Sequence, residues 1–222
     1  MDITPESSHH EEGPGQNEVD FRYADPVAAA DNAVTFRSVV DSVAVQNGLY
    51  ADFSPKPIPE EAGNGLHINI SVRRDGGEQV SRYFMAGILE HIREMTAFLN
   101  PTEASYRRLG ECKAPRFVTW SPGNRSQLIR IPAAQGEYKR MELRSPDPMV
   151  NPHLAYALVI YAGLDGVRRK LLPPEPLNVN LYTADPGITA GLETLPGSLQ
   201  EARDAASQSE FIRSVLPEGF WK

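Results

Sequence analysis

Four short segments of this chain alternate between apolar and polar residues, and this alternation constrains the fold more than any other feature. The segments are QNEVDFRY, GLHINISV, SQLIRI and YKRMELR. A period of two is typical of strands that have one face in a core and one face in water, as antiparallel sheets commonly do. The sequence therefore predicts an antiparallel sheet built from these segments.

Segments with helical periodicity lie between and after the alternating ones. Apolar residues recur every three or four positions from Pro26 to Val43, from Val80 to Leu99 and from Pro152 to Leu164. This spacing predicts three long helices, and Leu158, Tyr161 and Leu164 share the predicted apolar face of the third. The segment LPGSLQEARDAASQSEFIRSVL predicts two shorter helices. Helices that back one antiparallel sheet give an α+β fold.

Composition narrows the possible partners. A chain of 222 residues is long enough for one substantial domain, and its net charge of −7 argues against a nucleic-acid surface. Of the 22 basic residues 17 are Arg, the residue suited to bidentate contact with phosphate or carboxylate. The single cysteine, Cys112, excludes a disulfide framework and fits a reducing compartment. With no apolar run of membrane-spanning length and a polar start, we expect a cytoplasmic protein without a membrane partner.

The polar side of the alternating segments carries residues with a particular chemistry. Carboxylates with an imidazole suit Mg²⁺ or Mn²⁺, and arginines in the same cavity suit phosphate or carboxylate. Together they indicate a site for phosphoryl transfer, although a decorated solvent face is the alternative. The chain has no Gly-x-x-x-x-Gly-Lys loop and no dinucleotide fingerprint. The residues are Glu18, His67, Asn69, Ser71, Arg130, Arg140, Glu142 and Arg144.

The loop HHEEGPGQNE adds more acids and imidazoles around a rigid Gly-Pro-Gly corner. In isolation this loop is typical of a solvated acidic turn. Next to the metal-type residues of the predicted sheet, it is also a candidate part of the same site.

Several longer motifs, taken in order, are similar to one family. The motifs are ESSHHEEGPGQNEVDFRYADP, GNGLHINIS, FMAGILEHIREMTAFLNPTEASYRRL, APRFVTWSPGNRSQLIRIP and KRMELRSPDPMVNPHLAYALVIYAGLDG, followed by LPGSLQEA. They resemble the catalytic domain of type I glutamine synthetase, and the resemblance covers essentially the whole chain.

The resemblance implies a guanido-kinase-like α+β fold whose curved antiparallel sheet forms half of a funnel-shaped site. It implies an ATP-dependent ligase that joins glutamate and ammonia through a γ-glutamyl phosphate, with Mg²⁺ or Mn²⁺ ions. It also implies a homo-dodecamer for the full-length form. The chain itself is expected to be a partial catalytic domain, residues 1–222. The small N-terminal domain, the first metal-ligand strand and the C-terminal helix are expected to be absent, so that the fragment is inactive alone.

The resemblance assigns roles to residues by motif position. Glu11 and Glu18 match ligands of the first metal, which would explain the acidic loop, and His67 and Glu142 match ligands of the second. Arg125 matches the arginine that stabilises the transferring phosphoryl group. Gly63, Arg108 and Arg144 match the glutamate-binding residues. The expected nucleotide contacts are Tyr23, Asn69, Ser71, Arg130 and Arg140, although Tyr23 has plain core as an alternative, and Arg108 an ordinary surface charge.

The chain departs from the family pattern at the segment RLGECKAP. The family has a glutamate before Ala-Pro, in a mobile flap that closes over the ammonium site, and here Lys113 stands there. Glu111 is the nearby carboxylate that is a candidate for the same task. A cation at this position disfavours NH₄⁺ by like-charge repulsion. Ala62 also replaces a usual asparagine on the glutamate loop, and Tyr182 matches a tyrosine that some members adenylylate.

Three functions remain open from the sequence. The first is glutamine synthetase itself. The second is a γ-glutamyl-amine ligase of the γ-glutamylpolyamine type, which Lys113 and Ala62 favour because both lie on the acceptor or substrate-loop side. The third is a non-catalytic relative, which the retained carboxylates and arginines disfavour.

Overall fold

The computed structural model describes residues 3–72, 77–134, 136 and 139–220 of the chain. It contains a two-stranded hairpin and a four-stranded sheet, together with helices on the core side. No helix within the described residues is long and apolar enough to cross a membrane. The strands are β1 (Pro5–His10), β2 (Asn17–Phe21), β3 (Ile68–Ile70), β4 (Trp120–Pro122), β5 (Ile129–Ile131) and β6 (Met141–Leu143). The helices are α1 (Pro26–Gln46), α2 (Gly77–Leu99), α3 (Glu103–Arg108), α4 (Pro152–Arg169), α5 (Pro186–Thr189), α6 (Leu199–Gln208) and α7 (Glu210–Val215), and a short 3₁₀ helix follows at Glu218–Phe220.

The four-stranded sheet has the order β3-β6-β5-β4. Three of its strands fall on predicted segments and pair antiparallel, with Ile68 opposite Leu143 and Ile129 opposite Leu143 on the other side. The prediction of an antiparallel sheet is wrong for β4, which pairs parallel to β5. The sequence WSP of β4 has no alternation that could have revealed it.

The fourth predicted segment forms a separate sheet. Strand β2 pairs antiparallel with β1, which the alternation did not predict, and His9 lies opposite Glu18. The hairpin closes tightly because the Gln16 amide donates to the Gly13 carbonyl, while Gly15 takes φ +70°. The β2 ring of Phe21 packs edge-on against Phe36 of α1, with ring centroids 4.8 Å apart. The hairpin is therefore held to a helix and not to the edge of the larger sheet.

Helices α2 and α4 form the centre of the core. The predicted face of α2 is confirmed, because its large apolar residues from Phe84 to Leu99 are buried against α4 and the sheet. The prediction for α4 is confirmed at Leu158 and wrong at Tyr161 and Leu164, whose exposed fractions are 48% and 46%. The buried face of α4 instead consists of Ala155, Leu158, Val159, Ala162, Gly163 and Gly166.

Small residues let α2 and α4 approach closely. A methyl group added at Gly87 would meet the carbonyl of Ala162, and one at Gly166 would meet the carbonyl of Tyr83. Alanine and glycine residues at the crossing carry little hydrophobic signal. Spacing alone therefore predicts that the larger Tyr161 and Leu164 lie on the buried face of α4. The short helices α6 and α7 then pack on α2, with the Ser198 side chain capping α6 as an acceptor for the Glu201 amide.

Candidate active site

A histidine and two glutamates meet at the turn of the hairpin. His9 Nε2 lies 3.1 Å from Glu11 Oε1 and 4.0 Å from Glu18 Oε2. One ligand atom from each of the three residues lies within 4.8 Å of the others, and we call this group the hairpin cluster. Glu11 and Glu18 therefore lie together, as the sequence predicted.

His9 is the residue that sequence reasoning missed. Within the described residues, the cluster contains His9 rather than its neighbour His10. The available signal was spacing, since residues two apart on a strand share one face, and His9 is two residues before Glu11. The pairing register that also sets His9 opposite Glu18 is not visible in a sequence.

The two carboxylates of the hairpin cluster differ in acidity. Burial acts to raise the pKa of Glu11, but the charge of Lys113 and a hydrogen bond from His9 outweigh it, so this pKa is lowered. The pKa of Glu18 is raised by burial and by the negative charges of Asp20 and Glu11. Glu142 also contributes to this rise. The hairpin cluster and Glu142 therefore share one electrostatic environment.

Glu142 is the centre of a second, drier group on β6. Its Oε1 lies 3.4 Å from His67 Nδ1, and its Oε2 accepts a hydrogen bond of 3.0 Å from Arg144 Nη1. Arg130 Nε lies 2.7 Å from the same Oε2, but its N–H finds no hydrogen-bond partner among the described residues, so the contact is one of charge. Glu142 is only 5% exposed and Arg144 3%.

Burial and neighbouring charges shift the pKa values of this group in opposite directions. Burial acts to raise the pKa of Glu142, but the His67 hydrogen bond and the charges of His67, Arg144 and Arg130 lower it to about 2. Burial lowers the pKa of His67, against the effect of Glu142. At neutral pH the pair therefore consists of an ionised carboxylate and a neutral imidazole, which is the form that ligates a metal.

The prediction that this face of the sheet is wet is wrong at β6. Alternation suggested that Glu142 and Arg144 face solvent, whereas both are buried. The physical reason is mutual compensation, because charged groups can be buried when they are paired and hydrogen-bonded. The prediction holds at Asn69 and Ser71, which are exposed.

Arg108 and Arg144 are neighbours, and Arg144 also contacts the segment that carries Lys113. Arg108 is 3% exposed and donates to the carbonyl oxygens of Ser145 at 2.8 Å and Arg144 at 3.3 Å. Burial lowers the pKa of Arg108 to about 10, so it remains a cation at neutral pH. The alternative that Arg108 is an ordinary surface charge is wrong, because the structure buries it. Arg144 Nε donates to the Arg125 carbonyl.

The glycine loop connects the hairpin to these arginines. Gln16 Nε2 donates to the carbonyl of Gly63 at 3.0 Å and to Asn64 Oδ1 at 2.8 Å. A methyl group on Gly63 would meet the Pro55 carbonyl and the Arg108 side chain, so only glycine fits there. Through Gln16, the loop that carries Gly63 is fixed directly to the turn of the hairpin cluster.

The predicted nucleotide contacts are spread along the open side. Arg140 Nε donates to Asn69 Oδ1 at 3.0 Å, and Ser71 Oγ donates to the Lys139 carbonyl. Burial lowers the pKa of Arg130, and the positive charges of Arg144, Arg125 and Arg140 lower it further, against the opposite effect of Glu142. Tyr23 is 72% exposed, so the alternative that it belongs to the core is wrong. Arg125 is likewise exposed.

The flap segment, residues 110–114, turns its two charged side chains to different partners. Glu111 Oε2 lies 3.1 Å from Lys56 Nζ. Lys113 Nζ lies 2.7 Å from Glu12 Oε1 and 3.7 Å from Glu11 Oε2. Of the two candidate flap groups, the structure thus brings Lys113 to the hairpin cluster and holds Glu111 beside Lys56.

The donor sets of the two groups fit hard divalent cations. In the hairpin cluster, two carboxylate oxygens and one imidazole nitrogen lie within 4.8 Å of one another, and in the second group His67 Nδ1 lies 3.4 Å from Glu142 Oε1. Oxygen ligands with one nitrogen suit Mg²⁺ or Mn²⁺. Beside them lies a set of arginines that suits phosphate and carboxylate groups. This combination of groups is chemically suited to an anionic ligand together with a divalent cation.

Comparisons with known proteins identify the family of this chain. The family model described as "Glutamine synthetase, catalytic domain" matches residues 1–222. The glutamine synthetases of Methanosarcina mazei and Thermus thermophilus are each 44% identical over 98% of this chain and 52% of their own length. A solved structure described as a GmaS/ADP complex superimposes with a TM-score of 0.87, at 33% identity over 97% of this chain and 53% of its own.

These matches confirm the resemblance and the α+β fold class predicted from the sequence. The chain spans about half the length of the curated relatives that it matches. The roles of individual site residues are not tested by the matches and stay predictions.

Proposed function

Because the chain belongs to the glutamine synthetase catalytic-domain family, we propose that it is part of an ATP-dependent ligase that makes glutamine. In the proposed reaction, a γ-carboxylate oxygen of glutamate attacks the γ-phosphorus of ATP, and ADP leaves. Ammonia then attacks the acyl carbon of γ-glutamyl phosphate, gives up a proton, and inorganic phosphate leaves. The full-length form is proposed to be a homo-dodecamer.

The observation that carries this proposal is the pairing of buried Glu142 with neutral His67 beside the hairpin cluster. A carboxylate whose pKa is held at about 2 stays ionised throughout the physiological range. Glu11 and Glu18 would hold one divalent cation, and His67 and Glu142 the other. Such cations neutralise phosphate charge and orient the γ-phosphoryl group.

The arginines supply the remaining charge. Arg125 is proposed to stabilise the transferring phosphoryl group, and Arg130 and Arg140 to hold nucleotide phosphates together with the exposed Asn69, Ser71 and Tyr23. The ADP named for the similar solved structure supports a nucleotide here. The proposed contacts are electrostatic and preorganised, which is how phosphoryl transfer is mainly catalysed.

Glutamate is proposed to lie between Arg108, Arg144 and the Gly63 backbone. A guanidinium has five N–H donors, and the carbonyl oxygens bound by Arg108 fix its orientation and leave further donors for a carboxylate. The missing side chain at Gly63 lets its loop pack against the Pro55 carbonyl and the Arg108 side chain, which keeps the proposed backbone contact next to Arg108.

A second candidate is a γ-glutamyl-amine ligase. The observation that favours it is Lys113, whose ammonium group contacts Glu11 and Glu12 where the family has a glutamate. A fixed cation there repels NH₄⁺, so an acceptor other than ammonium is the second candidate.

Phosphate release distinguishes the candidates. Since the relatives are about twice as long, the 222 residues alone are proposed to be inactive. The assay therefore uses the chain and a chimera in which it replaces the matching part of the Thermus thermophilus enzyme. Ammonium-dependent release from ATP and glutamate supports glutamine synthesis, and release only with organic amines supports the second candidate. Silence of an assembled chimera with every acceptor contradicts both.

A further inference from the structure

We propose that Lys113 is a tethered cation that competes with the divalent metal for the hairpin cluster. Its ammonium group lies between Glu11 and Glu12, nearer to Glu12, and would lose the Glu11 contact when metal binds, keeping Glu12 or moving to solvent. Lys113 would thereby set the metal concentration at which the site fills. This inference rests on the proposed function for the identity of the metal, but its test does not need turnover.

The first support is the contact geometry. Lys113 Nζ lies 2.7 Å from Glu12 Oε1 and 3.7 Å from Glu11 Oε2, so one ammonium group touches a cluster carboxylate and a neighbour outside the cluster. His9 takes the other oxygen of Glu11, at 3.1 Å. Both oxygens of Glu11 are thus already engaged by nitrogen atoms in the form that the structure shows.

The second support is the backbone that presents Lys113. Cys112 and Lys113 take φ values of +41° and +68°, the left-handed region that side-chain-bearing residues seldom adopt. Hydrogen bonds within the flap segment hold this turn, from the Gly110 amide to the Ala114 carbonyl and from the Ala114 amide to the Glu111 carbonyl. Such a conformation persists only when its surroundings determine it.

The third support is that the flap segment is fastened on both sides of Lys113. Glu111 pairs with Lys56, which also donates to the Glu61 carbonyl. Arg144 Nη2 donates to the Lys113 carbonyl at 3.3 Å. The ammonium group therefore has a short tether with a fixed origin, and a tether of this kind gives an effective concentration in the millimolar range.

Competition follows from distance and charge. A Mg²⁺ or Mn²⁺ ion binds carboxylate oxygen at about 2.1 Å, and an ammonium group a further few ångströms away repels it. The ion pair is partly exposed, and such pairs change an equilibrium constant by about fivefold at most. Glu12, whose side chain is 52% exposed, keeps a second partner available for the displaced ammonium group.

The test is a Mn²⁺ titration of the full chain at low ionic strength, with free Mn²⁺ measured by electron paramagnetic resonance. Lys113→Met should lower the dissociation constant by about threefold to fivefold. Lys170→Met removes the same charge from the exposed end of α4 and should leave binding unchanged. In a Glu11→Gln background, Lys113→Met should have a smaller effect, because the contact between Lys113 and the cluster carboxylate is already lost.

A second readout follows the segment itself. Adding Mn²⁺ to the unaltered chain should speed amide hydrogen exchange at residues 110–114, because the Lys113 contact is lost. In Lys113→Met the exchange should be fast already and insensitive to Mn²⁺. An unchanged or weakened Mn²⁺ affinity in Lys113→Met, or an equal gain in Lys170→Met, would overturn the proposal. Failure of the ligase assay with these binding results intact would affect the proposed function alone.

Discussion

Glu142 keeps a negative charge in a nearly dry position because His67, Arg130 and Arg144 surround it. Removing the charge leaves two arginines without their anion. We therefore expect Glu142→Gln to lower the free energy of unfolding by about 3 kcal/mol, the scale for breaking a buried pair. Urea denaturation measures this change.

A matched control for Glu142 is an exposed glutamate in an ion pair. Glu201 pairs with Arg93 at 3.2 Å, and the two side chains are 49% and 35% accessible. Glu201→Gln should cost less than about 1 kcal/mol, because exposed pairs contribute little. Equal losses of stability in the two variants would mean that buried Glu142 is not stabilised by its pairing with His67, Arg130 and Arg144.

His9 offers a prediction about metal binding. If its imidazole joins Glu11 and Glu18 around one ion, His9→Ala should weaken Mn²⁺ binding by about tenfold or more, the scale reported for changes in and around metal ligands. His10→Ala is the control, since His10 is the adjacent exposed histidine outside the cluster. Calorimetric titration with Mn²⁺ compares the two variants. A larger loss of affinity in His10→Ala would show that His9 is not the ligand.

Motif similarity predicted which carboxylates lie together, but it did not predict that His9 joins them. Glu11 and Glu18 meet as expected, and so do His67 and Glu142. His9 was missed because its partner Glu18 is set by strand register, which depends on the turn and not on local sequence. Burial of Glu142 was missed because alternation reports polarity, and paired charges can be polar and buried together.

The crossing of α2 and α4 is the element-scale feature most sensitive to substitution. Alanine in a helix interior normally gains about 1 kcal/mol over glycine. At Gly87 the added methyl would instead meet the Ala162 carbonyl, so we expect Gly87→Ala to destabilise the protein by about 1 to 3 kcal/mol, as overpacking does. Thermal unfolding measures it, with Gly191→Ala as the control in open space. Stabilisation by Gly87→Ala would contradict the close crossing.

His91 joins three helices and gives a pH prediction. Its Nδ1 lies 3.1 Å from Glu94 Oε2 and its Nε2 3.0 Å from Asp165 Oδ2, while its ring stacks on Phe211. Burial acts to lower the pKa of His91, but the hydrogen bonds and charges of the two carboxylates raise it. Arg169 also binds Asp165, and Ser209 binds Glu94.

The sign follows from a folded pKa that is above the unfolded one. Protonated His91 contributes stability that is fully present below the unfolded pKa of about 6.5 and is lost as pH rises through the raised folded pKa. We expect His91→Gln to remove this part of the pH dependence of the unfolding free energy. The exposed His153, paired with Asp31, is the control. A His91→Gln profile parallel to that of the unaltered chain would exclude the effect.

At the element scale, the helices were predictable and one strand was not. The faces of α2 and the positions of α1 and α4 follow from apolar spacing. Strand β4 has only three residues, which is too short to show alternation. Its parallel partner is only nine residues away in sequence, so no crossover helix indicates the pairing either. Tyr161 and Leu164 were assigned to the core because spacing counts large apolar residues, whereas the crossing needs small ones.

For the whole molecule, two small sheets meet at one site without sharing an edge. Gln16 fastens the hairpin to the Gly63 loop, and Lys113 bridges the hairpin cluster and Arg144 through its side chain and carbonyl. The resemblance predicted which residues would lie together. It did not predict the contacts of Gln16 and Lys113, because these depend on loop conformation. The flap segment is thus mechanically linked to both carboxylate groups.

In the proposed reaction, glutamate is activated through its γ-carboxylate. Glutamate labelled with ¹⁸O in that carboxylate, incubated with ATP, Mg²⁺ and an acceptor amine, tests this step on the chimera. An acyl phosphate leaves one glutamate oxygen in the phosphate that is released. We predict one ¹⁸O atom per inorganic phosphate by mass spectrometry. Phosphate that is released without label would mean direct hydrolysis of ATP and would contradict the proposed ligase.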